Sequence, residues 1–202
     1  MADENVFAVG ATMAGHYGAS ARTGVTLAET TFAGAWNVQG DIQRPELAAA
    51  ARTLFALSLP ERSNSSVRDG SRTALWIGPG SWLVVATDES TRTDFEMKRD
   101  ALNAAGGALF DVSASRVGWT IGGTEARTVL AKGCPLDFDP RTFGEGMCAQ
   151  SVFGRVNALF YRRADASGFT MLVARSFARD AWRALCLSAA QYGYDVLRPR
   201  PF

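Results

Sequence analysis

Two apolar runs, Thr73–Ile77 and Ser81–Ala86, are separated only by Gly78-Pro79-Gly80, and they constrain the fold more than any other stretch. Each run is rich in residues that suit a pleated, buried surface. Gly and Pro interrupt a ladder, so the pair predicts a hairpin or a kinked strand pair. The uncharged stretch Thr73–Thr87 falls short of the ~18 residues that a bilayer span needs. A sheet is therefore expected.

The elements around this hairpin mix strands and helices. Thr31–Asp41, around Trp36 and Val38, predicts a strand. Pro45 suits a first helical turn, and Leu47, Ala50, Ala51 and Leu54 give Pro45–Leu57 one apolar face. Glu61–Arg72 is polar and Ser-rich, which predicts a loop. Thr91–Ala105 predicts a helix with Phe95, Leu102 and Ala105 inward, stopped by Gly106-Gly107. Ala108–Val112 and the alternating Ser115–Ile121 follow as strands. Thr124 is a plausible cap for a short helix carrying Ala126, Val129 and Leu130. Residues 134–149 predict a loop, Ala149–Arg163 and Gly168–Arg175 two strands, and Ser176 onward a helix with Trp182, Leu185, Cys186 and Ala189 on one face. The order predicts an α+β fold built from two similar β-α-β-β-α units packed side by side. Residues 1–30, rich in Gly, Ala and Thr, are expected to form an extended arm. Residues 31–202 are expected to form one domain with halves at about 31–112 and 113–197.

Charge and rare residues limit the chemistry. The 202 residues carry 21 basic and 20 acidic side chains. That balance argues against a dedicated nucleic-acid binder. The charge is polarised: residues 1–140 hold 12 basic and 16 acidic residues, and residues 141–202 hold 9 and 4. Such a surface suits an acidic partner. His16 is the single histidine, so a multi-histidine metal site is excluded. It lies in the expected arm, where a solvated ring is the ordinary outcome. Cys134, Cys148 and Cys186 show no C-x-x-C spacing and read as buried or free thiols of a reducing compartment. The first 21 residues contain no Lys or Arg, unlike a secretory signal, and a cytoplasmic location is expected.

Local motifs do not assemble an active site. Gly144-Glu-Gly-Met-Cys-Ala149 fits G-x-G-x-x-A, but loop precedes it and strand follows, the wrong context for a dinucleotide. Asp137 and Asp139 sit beside Arg141 and read as solvated or ion-paired. Asp111 is the one strand-borne acid worth testing against a pterin, and it equally suits a cap on the following turn. No catalytic, cofactor-binding or metal-binding residue is assigned. The loop Pro135–Met147, with the arm, is expected to carry partner contacts. Phe138, Phe143 and Met147 would be its apolar anchors and Arg141 its fork donor, residue types enriched at interfaces.

Three stretches carry a family resemblance: Ala74–Ala86 (ALWIGPGSWLVVA), Phe110–Arg163 with its A-R-x-x-L-A-K-G-C-P-L-D helix end, and Leu172–Trp182 (LVARSFARDAW). They resemble the gamma subunit of heterotetrameric sarcosine oxidase. Two departures stand out: Gly-Pro-Gly-Ser after Trp76, where an acidic pair is frequent, and Ala-Ser-Arg after Asp111-Val-Ser, where a histidine is common. The resemblance implies a fold similar to the folate-binding domain of glycine-cleavage aminomethyltransferases. It also implies a non-catalytic role in a flavin complex that oxidises sarcosine to glycine, with formaldehyde or methylene-tetrahydrofolate and hydrogen peroxide as products. The expected partners are alpha, beta and delta subunits, which would hold FAD, FMN, NAD and zinc. The alternatives are the same role in a related N-methyl amine complex, or a stand-alone folate-binding protein of the aminomethyltransferase type.

Overall fold

The computed structural model describes residues 13–88, 94–163 and 168–202. In chain order these contain β1 (Gly15–Tyr17), β2 (Val25–Thr31), β3 (Gly34–Gln39), α1 (Pro45–Phe55), β4 (Ser66–Asp69), β5 (Arg72–Gly78) and β6 (Ser81–Ala86). Then come α2 (Phe95–Ala104), β7 (Ala108–Asp111), β8 (Arg116–Gly122), α3 (Ala126–Ala131) and β9 (Cys148–Phe153). The chain closes with β10 (Val156–Arg162), β11 (Phe169–Ala174), α4 (Ala178–Ala189) and β12 (Tyr194–Pro201). It divides into two compact units, one centred on residues 31–116 and the other on 117–145 and 150–200 with the N-terminal residues.

The unit centred on 31–116 is built on a sheet of order β4-β5-β6-β3-β7. The apolar runs pair antiparallel as β5 and β6, with Trp76 opposite Trp82 and a register shift between Trp76 and Gly78 at the Gly-Pro-Gly turn. The expected hairpin is therefore present. Helix α1 starts at Pro45 and lays Leu47, Ala51 and Phe55 against the core. That core includes Trp36, Val38, Trp82, Val84 and Leu102. Trp82 is fully covered, and its Nε1–H donates to the Pro60 carbonyl at 2.8 Å, so the indole's one polar atom is satisfied. The polar stretch expected as a loop holds β4 instead. Asp69 pairs with Arg72 across Gly70-Ser71, and Gly70 has φ +54. An Asp-Gly step supplies that positive φ and sets the register without any apolar alternation.

The other unit is built on a sheet of order β1-β12-β2-β8-β11-β10-β9. Strand β8 is buried on both faces from Val117 to Gly122, so Thr120, on the face opposite Val117, Trp119 and Ile121, is covered as well. Thr120 tolerates this because its hydroxyl lies 3.1 Å from that of Thr30. The single strand expected over Ala149–Arg163 is two strands, β9 and β10, broken at Gly154 with φ +63. Helix α4 buries Ala178, Ala181, Leu185 and Ala189; Trp182 and Cys186 are only half-covered.

The arm expectation needs correction within the described residues. Residues 25–30 form most of β2, which pairs with β8 from Thr26 opposite Gly122 to Glu29 opposite Trp119. Val25 and Leu27 are fully buried there. Residues 15–17 pair with 194–196. Apolar cover and a ladder on β8, out of reach of any local sequence window, turn a Gly/Ala-rich segment into sheet. Residues 1–12 of that segment lie outside the described residues.

Candidate functional site

The loop chosen from the sequence as a contact surface divides into distinct environments. Phe138 and Phe143 are 3% and 4% exposed. The Phe138 ring stands edge-on to Phe143, Phe160 and Phe169 at centroid distances of 5.7, 5.3 and 5.2 Å. The structure thus brings these two phenylalanines together, but inside the chain's own core. This corrects the expectation that they anchor a partner: their apolar surface is already removed from water. Arg141 does face solvent, with 90% of its side chain exposed. Its Nε donates to Asp139 Oδ1 at 2.8 Å. With the Arg141 backbone N–H on the same oxygen, this holds the Asp139 carboxyl down at about 2. Met147 is half-buried, and its backbone bridges to Ser65.

Asp137 closes a turn by accepting the Asp139 N–H at 2.9 Å. Both acids border a cleft of about 420 Å³ with Thr124, Arg127, Thr128 and Leu136. The two carboxylates serve loop geometry and an exposed ion pair, not a matched acid and base. Asp111 behaves the same way: its Oδ1 accepts the Ser113 N–H at 2.8 Å and the Ser113 hydroxyl. Ser113 Oγ in turn accepts the Ala35 N–H at 2.9 Å. The carboxylate that a pterin would need is engaged in capping a turn.

All three cysteines are free thiols. Cys148 lies 3.2 Å from the Trp76 carbonyl and 3.3 Å from that of Ser65, as a donor to both. Burial pushes its thiol up to about 12. Burial also raises the Cys186 thiol. These are packed, protonated sulfurs, far from the thiolate a nucleophile requires. Gly146 and Cys148 lead into β9 and not into a helix, so no helix N-terminus stands behind the G-x-G-x-x-A match. Among the described residues, no group of three His, Cys, Asp or Glu side chains converges to hold a metal ion. No helix among them is long and apolar enough to cross a membrane.

One cluster escaped the sequence reading. His16, expected to be solvated, has Nδ1 2.6 Å from Asp195 Oδ1 and Nε2 2.7 Å from the Ser20 carbonyl. Thr23 Oγ1 donates to the other Asp195 oxygen at 2.9 Å. The Asp195 and Ser20 contacts raise the His16 pKa, and the histidine lowers that of Asp195. His16 and Asp195 are 179 positions apart, so no local pattern could join them.

Comparison with known proteins assigns the chain's relatives. The family model described as "Sarcosine oxidase, gamma subunit family" matches residues 39–191. Sarcosine oxidase subunit gamma of Corynebacterium sp. (strain U-96) is 32% identical over 147 residues, 71% of this chain and 69% of that one. The subunit of the same name from an Arthrobacter species is 30% identical over 151 residues, covering 73% and 71%. Among solved structures, the heterotetrameric sarcosine oxidase from Corynebacterium sp. U-96 in complex with pyrrole 2-carboxylate matches with a TM-score of 0.75 at 24% identity, over 85% of this chain and 87% of the matched chain. The glycine cleavage system aminomethyltransferase T from Bartonella henselae matches with a TM-score of 0.58 at 14% identity, over 88% and 48%. Both structural likenesses speak to the fold, which is α+β and aminomethyltransferase-like as expected.

Proposed function

This chain belongs to the sarcosine oxidase gamma subunit family, and we propose that it is the small, non-catalytic subunit of a heterotetrameric complex oxidising sarcosine to glycine. Formaldehyde or methylene-tetrahydrofolate and hydrogen peroxide are the other products of that reading. The observation that carries it is the family match over residues 39–191. The side-chain chemistry agrees: Asp111 and Asp137 cap turns, Asp139 pairs with Arg141, and burial keeps the Cys148 thiol protonated. On this reading FAD, FMN, NAD and zinc belong to alpha, beta and delta partner subunits of a cytoplasmic complex, with neither nucleic acid nor membrane involved. Within the contact loop, the exposed guanidinium of Arg141 and the half-buried Met147 are the residues retained for partner contact.

Co-expression of the four chains, with a tag on this one, tests the reading. The expected result is a flavin-coloured complex that releases hydrogen peroxide when given sarcosine, and Arg141→Ala should lower its yield without altering the chain's circular dichroism. An equally active complex assembled in the absence of this chain would refute the role. So would sarcosine oxidation by this chain alone.

A further inference from the structure

The His16 cluster has a chemistry of its own, independent of the assembly role. Both acceptors facing the ring, the Asp195 carboxylate and the Ser20 carbonyl, lack a proton to give. A neutral imidazole carries one N–H and can satisfy only one of them; the imidazolium satisfies both. Without the second proton, a ring lone pair would face an oxygen lone pair at hydrogen-bonding distance. The observed geometry is therefore that of the charged ring.

The ring also sits where a charge matters mechanically. His16 lies in β1, a three-residue strand at the edge of the seven-stranded sheet, directly opposite Asp195 of β12. Ser20 belongs to the segment that leads from β1 to β2. One cation thus ties β1 both to its neighbouring strand and to its own return path. The titratable and charged groups around it are few. From β12 come Asp195, Tyr194, whose ring stacks on Tyr17 at 5.6 Å, and Arg198, which borders the same cleft as His16. From the return segment comes Arg22, whose carbonyl packs on Gly193. From α4 comes Cys186, hydrogen-bonded to Tyr194.

We infer that residues 13–24 form a proton-latched strap: protonated His16 holds β1 on β12, and loss of the proton releases it and leaves β12 as an open sheet edge. The sign follows from linkage. A histidine stabilised in its charged form contributes fully below its free value of about 6.5, and that contribution disappears as pH rises through its raised value in the closed strap. Asp195, held low by the same pair, sets the acid limit: the latch fails again where that carboxylate is protonated. An unpaired edge is a template for pairing with another strand, so the strap's state decides whether that template is offered.

The test uses the ¹⁵N-labelled full chain, in which the single histidine gives one unambiguous imidazole signal. His16 should titrate above 6.5, and Asp195→Asn should bring it back to that value or below. Amide exchange at those positions of 15–17 and 194–196 whose N–H groups face across the β1–β12 ladder, corrected for intrinsic rates, should be flat from about pH 5 to 6.5, rise by about one decade per pH unit, then level off. In His16→Gln the same amides should exchange fast with no such rise. A wild-type profile that stays flat, or a His16 titration at or below 6.5, overturns the latch. Unchanged protection in both variants does so as well.

Discussion

Phe138→Ala separates the core and contact readings of the loop after α3. The ring is 3% exposed and meets three other phenylalanine rings edge-on within 5.7 Å. Truncating a buried Phe to Ala costs about 3–5 kcal/mol from lost transfer and the cavity left behind. Loss of three edge-on ring pairs at one position places this site in the upper part of that range, since each pair adds ~0.5–1.5 kcal/mol beyond its area. At a urea m-value of ~2 kcal/mol/M, the midpoint for the unit containing Phe138 should fall by roughly 2 M. Phe138→Leu keeps much of the volume but still loses the three ring pairs, so it should cost about 1.5 kcal/mol or more and less than the alanine variant. The assay is urea denaturation of the isolated chain followed by circular dichroism. A midpoint shift below about 0.5 M for the alanine variant, at an m-value of that size, would refute the reasoning and return Phe138 to the surface.

Cys148 should stay unmodified by a thiol reagent at pH 8 while the chain is folded and react at once in urea, since its thiol is held up at about 12 by burial; mass spectrometry of the labelled peptide reads this. Gly118→Ala should destabilise by about 1–3 kcal/mol, because a Cβ there would stand 2.7 Å from the Met171 carbonyl and 2.4 Å from Leu172 Cδ2; thermal melting checks it. Glu29 is half-buried, and desolvation raises its pKa against the opposing pull of Arg175. Its ionisation therefore costs stability as pH rises past the ordinary carboxylate value. Glu29→Gln should raise the melting temperature at pH 7 and leave it unchanged near pH 3.

Local pattern carried the helices and the central hairpin because both are written in short-range spacing. The Pro45 start, the Leu47/Ala51 stripe and the Gly-Pro-Gly turn each needed only a few neighbouring residues. Strand β4 was illegible because it sits at a sheet edge with no buried residue in Ser66–Asp69; only the Asp-Gly step announced it. Strand β12 was hidden by Pro199 and Pro201. Both lie beyond Val196, the last position at which β1 pairs with it, so a missing N–H there costs no bond to β1. Phe138 and Phe143 misled for a different reason: composition cannot say whether an aromatic in a loop points outward or back. The His16 cluster depends on contacts across almost the whole chain, and a single histidine in a Gly/Ala-rich stretch offered no hint of its carboxylate.

The pairing of β2 with β8, Thr26 opposite Gly122, has a consequence for biosynthesis. A nascent chain emerges N-terminus first at ~5–20 residues per second. The β5–β6 hairpin can close as soon as its fifteen residues, Arg72–Ala86, are out. Strand β2 must instead wait for some hundred further residues, roughly 5–20 s at that speed, before β8 exists to receive it. Throughout that interval Val25 and Leu27, fully buried at the end, lack the cover that β8 later gives them. Strand β2 is thus translated well before its partner and folded late, which makes it a natural substrate for a ribosome-bound chaperone.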